Sequence, residues 1–159
     1  MTFSRDLKFS RHIAMAVNKA NRVVGAIRRS FRYMNRQIFT QLYKSLVRVH
    51  LEYANTVWSP IKKTDANHLE KVQRRATKIV PGIRDLPYRE RLQQLKLPSL
   101  VYRRKRGDMI QTYKILHGLE DIPENSLLKL AEKGPARGHS LKLQKPLCRT
   151  ALRQHFFSH

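Results

Sequence analysis

Residues 10–31, SRHIAMAVNKANRVVGAIRRSF, decide the fold class. Ile13, Ala16, Val17, Ala20, Val23, Val24, Ile27 and Phe31 recur three and four residues apart, the spacing of one apolar stripe along an α-helix. Arg11, Lys19, Arg22, Arg29 and Arg32 fall mostly away from that stripe, so the helix reads as amphipathic with a cationic outer side. Ser10, directly ahead of it, has a side chain suited to an N-cap.

The same period continues downstream. Ile38, Phe39, Leu42, Tyr43, Leu46, Val49 and Tyr53 predict a second helix from about Arg36 to about Asn55. Ser59-Pro60 stops it, because a residue before proline is pushed out of the helical region. A third helix is expected from near Thr64, with Thr64 and Asp65 as caps and Leu69, Val72, Ala76, Ile79 and Val80 as its buried side; Pro81-Gly82 closes it. A short helix over Tyr88 to Leu95 follows. Pro98 then fits the first turn of a longer helix carrying Leu100, Val101, Ile110, Tyr113 and Leu116, with Gly118 as its C-cap. A last short helix is expected from Glu124 to Ala131.

Beyond Glu132 the composition changes. Lys133-Gly134-Pro135 and Arg137-Gly138 are linker-like, and Ser140 to Lys145 alternates polar with apolar residues, placing Leu141 and Leu143 on one side. This stretch reads as a short strand or an extended tail without a partner in the chain. The expected fold is mainly α, a bundle of about five helices with a short strand-like or extended C-terminal tail. The helical domain would span 1–132 and the extended basic tail 133–159.

Charge narrows the function. Thirty-three Lys and Arg against eleven Asp and Glu leave a net +22 on 159 residues, a polycation whose partners are polyanions. The cations run through every helical segment, so they belong to faces of a folded body and not to a basic arm. No apolar run approaches the ~20 residues of a membrane span, and the first thirty residues lack a signal-peptide core, so a soluble, intracellular chain of nucleus or cytoplasm is expected.

Catalytic and metal chemistry find little support. Cys148 is the only cysteine, which excludes an internal disulfide and a thiolate zinc site. His12, His50, His68, His117, His139, His155 and His159 show no metal-ligand spacing completed by a carboxylate. The eleven acids are scattered, with no Asp-Asp or Asp-x-Asp pair to hold Mg²⁺, and neither a Gly-x-Ser-x-Gly elbow nor a Gly-rich phosphate loop occurs. Activity from this chain alone is not expected, nor is a cofactor in it.

The basic clusters carry more. Lys71, Arg74, Arg75 and Lys78, at helical spacing opposite Leu69, Val72, Ala76 and Ile79, predict a row of cations matched to a phosphate backbone. Arg103-Arg104-Lys105-Arg106 spans a full turn, so at least one member must face inward and find a partner, for which Asp108 and Glu90 are the candidates. Arg103, Arg104 and Arg106 are the phosphate contacts expected there. Tyr43, Tyr53 and Tyr113 lie on apolar stripes and are expected in the core. Trp58, ending a helix beside Ser59-Pro60, is expected to be a partly exposed wedge.

Several of these segments share a further pattern. Leu42-Tyr43-Lys44-Ser45-Leu46-Val47-Arg48, His50-Leu51-Glu52-Tyr53-Ala54-Asn55, Val57-Trp58 and Pro60 come first, and Leu69 through Lys78 follows. Next come Leu97-Pro98-Ser99-Leu100, Tyr102-Arg103-Arg104, Arg106 through Ile110 and Tyr113 through Leu119. Arg137-Gly138-His139-Ser140, Lys145-Pro146 and Arg149-Thr150 extend the set to the tail, and Asp6 through Ser10 with His12-Ile13 opens it. In this order the set resembles the region after the palm in reverse transcriptases of non-LTR (LINE-type, jockey-like) retrotransposons. The resemblance implies the thumb and connecting segment of an RNA-directed DNA polymerase, gripping RNA, DNA or hybrid duplex through phosphates. The catalytic aspartates and their Mg²⁺ would then belong to a palm that, with the fingers, is absent from this chain. The alternative is a stand-alone basic helical RNA-binding protein, associated with the ribosome.

Overall fold

The structure is a computed structural model that describes residues 9–122, 127–131, 141–145, 147–154 and 157. Its first helix, α1 (Ser10–Ser30), buries Ile13, Ala16, Ala20, Val24 and Ile27, the stripe expected from the spacing. Ser10 has a different task from the one expected. Phe9 occupies the cap position at φ 55 with no side-chain cap, and the Ser10 hydroxyl instead donates to Asp65 Oδ2 at 2.7 Å. Asp65 is buried, so its carboxylate needs that donor more than the helix end does.

The second helical run is continuous but not uniform: α2 (Arg36–Leu42), a π-helical segment (Tyr43–Val47) and α3 (Arg48–Glu52). Asn35 caps it, its Oδ1 accepting from the Ile38 N–H at 2.7 Å. Phe39, Tyr43, Val47 and Leu51, four residues apart, are all fully buried. On a helix of 3.6 residues per turn such a set would swing about 120° around the axis across its length. The π segment, in which the Arg48 N–H reaches back to the Tyr43 carbonyl, widens the turn and returns the set to one side. The expected stripe therefore fails beyond Tyr43: Leu46, Val49 and Tyr53 face out, as does Ile38.

Three further helices complete the bundle: α4 (Lys63–Thr77), α5 (Tyr88–Gln94) and α6 (Leu100–Leu116). The chain is thus mainly helical, with five helical runs from Ser10 to Leu116. Lys62, without a side-chain bond, caps α4, since Asp65 is engaged by Ser10. Ser99 caps α6 by accepting from the Tyr102 N–H, which leaves Pro98 ahead of the cap and outside the first turn. Gly118, at φ 64, closes α6 as expected: the Leu119 N–H bonds the Lys114 carbonyl and the Gly118 N–H that of Ile115.

The core joins α1, the second run, α4 and the start of α6 around Trp58, Tyr43, Phe39, Leu69 and Leu100. Trp58 is 0 % exposed, not a wedge. The turn after α3, with Ala54 at φ 55, folds the indole back, its Nε1 donates to the Tyr53 carbonyl at 2.6 Å, and the His12 ring packs against it in a T-shaped pair, centroids 5.0 Å apart. Burying a side chain of that size contributes about 3 kcal/mol or more.

The C-terminal part differs from expectation in two places. Residues 127–131 are not helical; of the helix expected over Glu124 to Ala131, positions 124–126 lie outside the described residues. Leu130 instead forms an antiparallel bridge with Leu143, so the tail finds its partner within the chain. The Ala131 N–H donates to the Lys142 carbonyl and the Gln144 N–H to that of Lys129, both at 2.8 Å. A one-turn helix, α7 (Ala151–Gln154), follows.

Candidate nucleic-acid interface

Helix α4 positions the cationic row because its other side is locked. Leu69, Val72 and Ala76 pack in the core, and the polar side chains among them are buried and bonded. Gln73 accepts from the Tyr43 hydroxyl at 2.6 Å and donates to the Pro98 carbonyl at 3.0 Å. Glu70 accepts from the Tyr88 hydroxyl with Oε1 and from the Leu100 N–H with Oε2. Burial, with the hydrogen bond to Glu70 second, raises the Tyr88 phenol; burial first, and neighbouring negative groups after it, raise Tyr43. Such bonds fix the rotation of α4, and Lys71, Arg74, Arg75 and Lys78 are all exposed as a result.

The row is divided in two. Lys71 and Arg74 line a depression of about 380 Å³ with Thr64, Asn67 and His68. Arg75 and Lys78 line a separate cleft of about 430 Å³, where Arg28 of α1 and Arg84 of the α4–α5 connection join them. Neither Arg28 nor Arg84 is marked by the spacing in its own segment. Arg74 also lies over the Tyr88 ring, 4.9 Å from its centre, which holds the guanidinium at one edge of α4.

On α6 the expected cluster separates by residue. Arg103 is turned to Glu52, donating from Nε at 2.5 Å and from Nη2 at 2.9 Å. Its guanidinium is held above the ordinary arginine range by those bonds, which outweigh the opposing cost of burial. Arg104 is buried and lies in the field of Glu70, Glu52 and Asp108; burial lowers its pKa, and its Nη1 has no hydrogen-bond partner among the described residues. Two of the three arginines expected at phosphates thus face into the molecule, and Arg103 takes a partner 51 positions away instead of Asp108 or Glu90. Arg106 is exposed, as is Lys105.

The aromatic side chains reverse the expected pattern outside Tyr43, which is in the core. Tyr53 is 72 % exposed and Tyr113 57 %, the latter stacked on His117 at 3.9 Å. Tyr113 lines a cavity of about 750 Å³ between the turn after α3 and the C-terminal half of α6, whose wall also includes Asn55, Val57, Asp108 and Met109. Burial raises the Asp108 carboxyl against the opposing effect of Arg104.

Among the described residues no three His, Cys, Asp or Glu side chains gather where they could hold a metal ion. No helix among them is long and apolar enough to cross a membrane. No family model, curated protein or solved structure matches the chain.

Proposed function

We propose that this chain is the thumb-like part of a non-LTR retrotransposon reverse transcriptase and holds template-primer nucleic acid, RNA, DNA or hybrid duplex, by its phosphates. The observation that carries it is α4: one side is hydrogen-bonded into the core through Glu70 and Gln73, and the other presents Lys71, Arg74, Arg75 and Lys78. A rigid cationic face reads shape and charge and not bases, which suits a polymerase that must hold every sequence alike. The resemblance supplies the polymerase identity, and with it palm and fingers as the partners that carry catalysis, in nucleus or cytoplasm.

Binding of a B-form DNA duplex over a series of salt concentrations tests the proposal. The affinity falls with a log-log slope of about −0.9 per phosphate neutralised on B-form duplex, and Lys71→Gln, Arg74→Gln, Arg75→Gln and Lys78→Gln together flatten it. A salt-independent affinity would overturn it. The closed core around Trp58 and Tyr43 favours, as a second possibility, a stand-alone basic RNA-binding protein. Equal affinity for hybrid, DNA and RNA duplexes speaks for the polymerase grip, and a strong preference for one folded RNA for the alternative.

A further inference from the structure

The cleft between α1 and the end of α4 gathers cations from three places. Arg28 comes from the last turns of α1, Arg75 and Lys78 from the end of α4, and Arg84 from the connection to α5; all four are exposed, and Asp85 is the acidic residue on the wall. Gly82, at φ 80, turns the chain there and brings Arg84 beside Lys78 in the same concavity.

The local charge can be weighed. α1 and α4 both end near this cleft, and each helix C-terminus carries about half a negative elementary charge, so together they offset about one cation. Asp85 offsets another. An excess of about two positive charges remains in one concavity, on groups three of which are guanidinium forks. A phosphodiester brings a single negative charge per nucleotide, spread along a strand. Adjoining phosphates bring two or more in one place, with several oxygens for bidentate arginine contacts.

We propose that this cleft binds clustered phosphate, the diphosphate or triphosphate moiety of a small ligand. The ligand is recognised through its phosphates, and either an inorganic polyphosphate or a nucleoside triphosphate presents that chemistry. The cleft shares Arg75 and Lys78 with the α4 row, but the proposal rests on the grouping of four cations from three elements and needs no polymerase identity.

Titrating the full chain with tripolyphosphate, with ATP and with sulfate at matched ionic strength, followed by calorimetry, tests the proposal. Tripolyphosphate binds at least tenfold more tightly than sulfate. ATP binding equally tightly assigns recognition to the phosphates alone, and tighter ATP binding adds a contact to the nucleoside. Arg28→Gln with Arg84→Gln lowers the tripolyphosphate affinity about tenfold, Arg28→Lys with Arg84→Lys retains part of it, and Arg11→Gln with Lys44→Gln, exposed cations outside both basic depressions, leaves it unchanged. Far-UV circular dichroism confirms that each variant is folded, as expected for exposed positions. Sulfate and tripolyphosphate binding alike, or an unaltered Arg28/Arg84 double variant, would overturn the proposal. A failure of duplex binding would not touch it, since the titration contains no nucleic acid.

Discussion

Arg103 and Glu52 are joined by two parallel hydrogen bonds, Nε to Oε1 at 2.5 Å and Nη2 to Oε2 at 2.9 Å, across 51 positions of sequence. Arg48, one turn before Glu52, approaches the same carboxylate at 3.6 Å. The pair fastens the first turn of α6 to the end of α3, which is also where the chain turns back toward Trp58. A guanidinium held at two of its three nitrogens is oriented by the fold and is not free to follow a phosphate.

The first prediction follows from that pairing. Arg103→Ala or Glu52→Gln lowers stability by about 1–2 kcal/mol, a charge-assisted pair discounted for partial exposure. The urea midpoint reads this loss. The double variant loses less than the sum of the singles, because the two substitutions remove one interaction.

The second concerns which arginines meet nucleic acid. Arg106→Gln reduces the steepness of the salt dependence by about one phosphate contact, whereas Arg104→Gln leaves the slope unaltered and lowers the melting temperature. Duplex titrations at several salt concentrations, set beside thermal melts, separate the two. A slope reduced equally by both substitutions would mean that Arg104 leaves its buried position on binding.

Much of the fold was legible in local period, and the exceptions have identifiable causes. The α1 stripe and the exposed Lys71 to Lys78 row depend only on spacing within one helix, so they could be read directly. Val47 and Leu51 could not, because they fit the core only through a π segment that a 3.6-residue period does not anticipate. The burial of Trp58 is not legible in spacing, because it depends on the left-handed Ala54 and on the Tyr53 carbonyl. The partner of Arg103, the Glu70 bond to Leu100 and the pairing of Leu130 with Leu143 are contacts between distant segments, which no spacing encodes. The division of the α4 row was hidden for the same reason, since Arg28 and Arg84 arrive from other elements.

The third prediction tests Glu70 as the fastening of α4 to α5 and α6. Its two oxygens accept from the Tyr88 hydroxyl and the Leu100 N–H, the latter in the first turn of α6, where a carboxylate also complements the helix dipole. Glu70→Leu leaves both donors unsatisfied inside the protein, at a cost of about 2–4 kcal/mol. For a chain of this length the melting temperature falls by about 5–10 °C. Tyr88→Phe, which removes one donor and leaves the helix end bonded, costs about 1 kcal/mol. A Glu70→Leu protein as stable as the parent would show that α6 needs no such anchor.

The fourth concerns His12, whose ring forms a T-shaped pair with Trp58, centroids 5.0 Å apart and planes at 70°. Burial, followed by nearby positive charge that includes Lys19, holds its pKa below the ordinary 6.5. The folded protein therefore binds a proton at this ring less readily than the unfolded chain does. Its contribution to stability is complete above the unfolded value of 6.5 and is lost as the pH falls through 6.5 and below. Urea unfolding at pH 7.5 and pH 5.0 measures the effect against His12→Gln, which cannot titrate. The parent loses more stability than His12→Gln between the two pH values, because only the parent must charge a ring packed against buried indole. An equal loss in both proteins would show that the imidazolium is accommodated beside Trp58 without penalty.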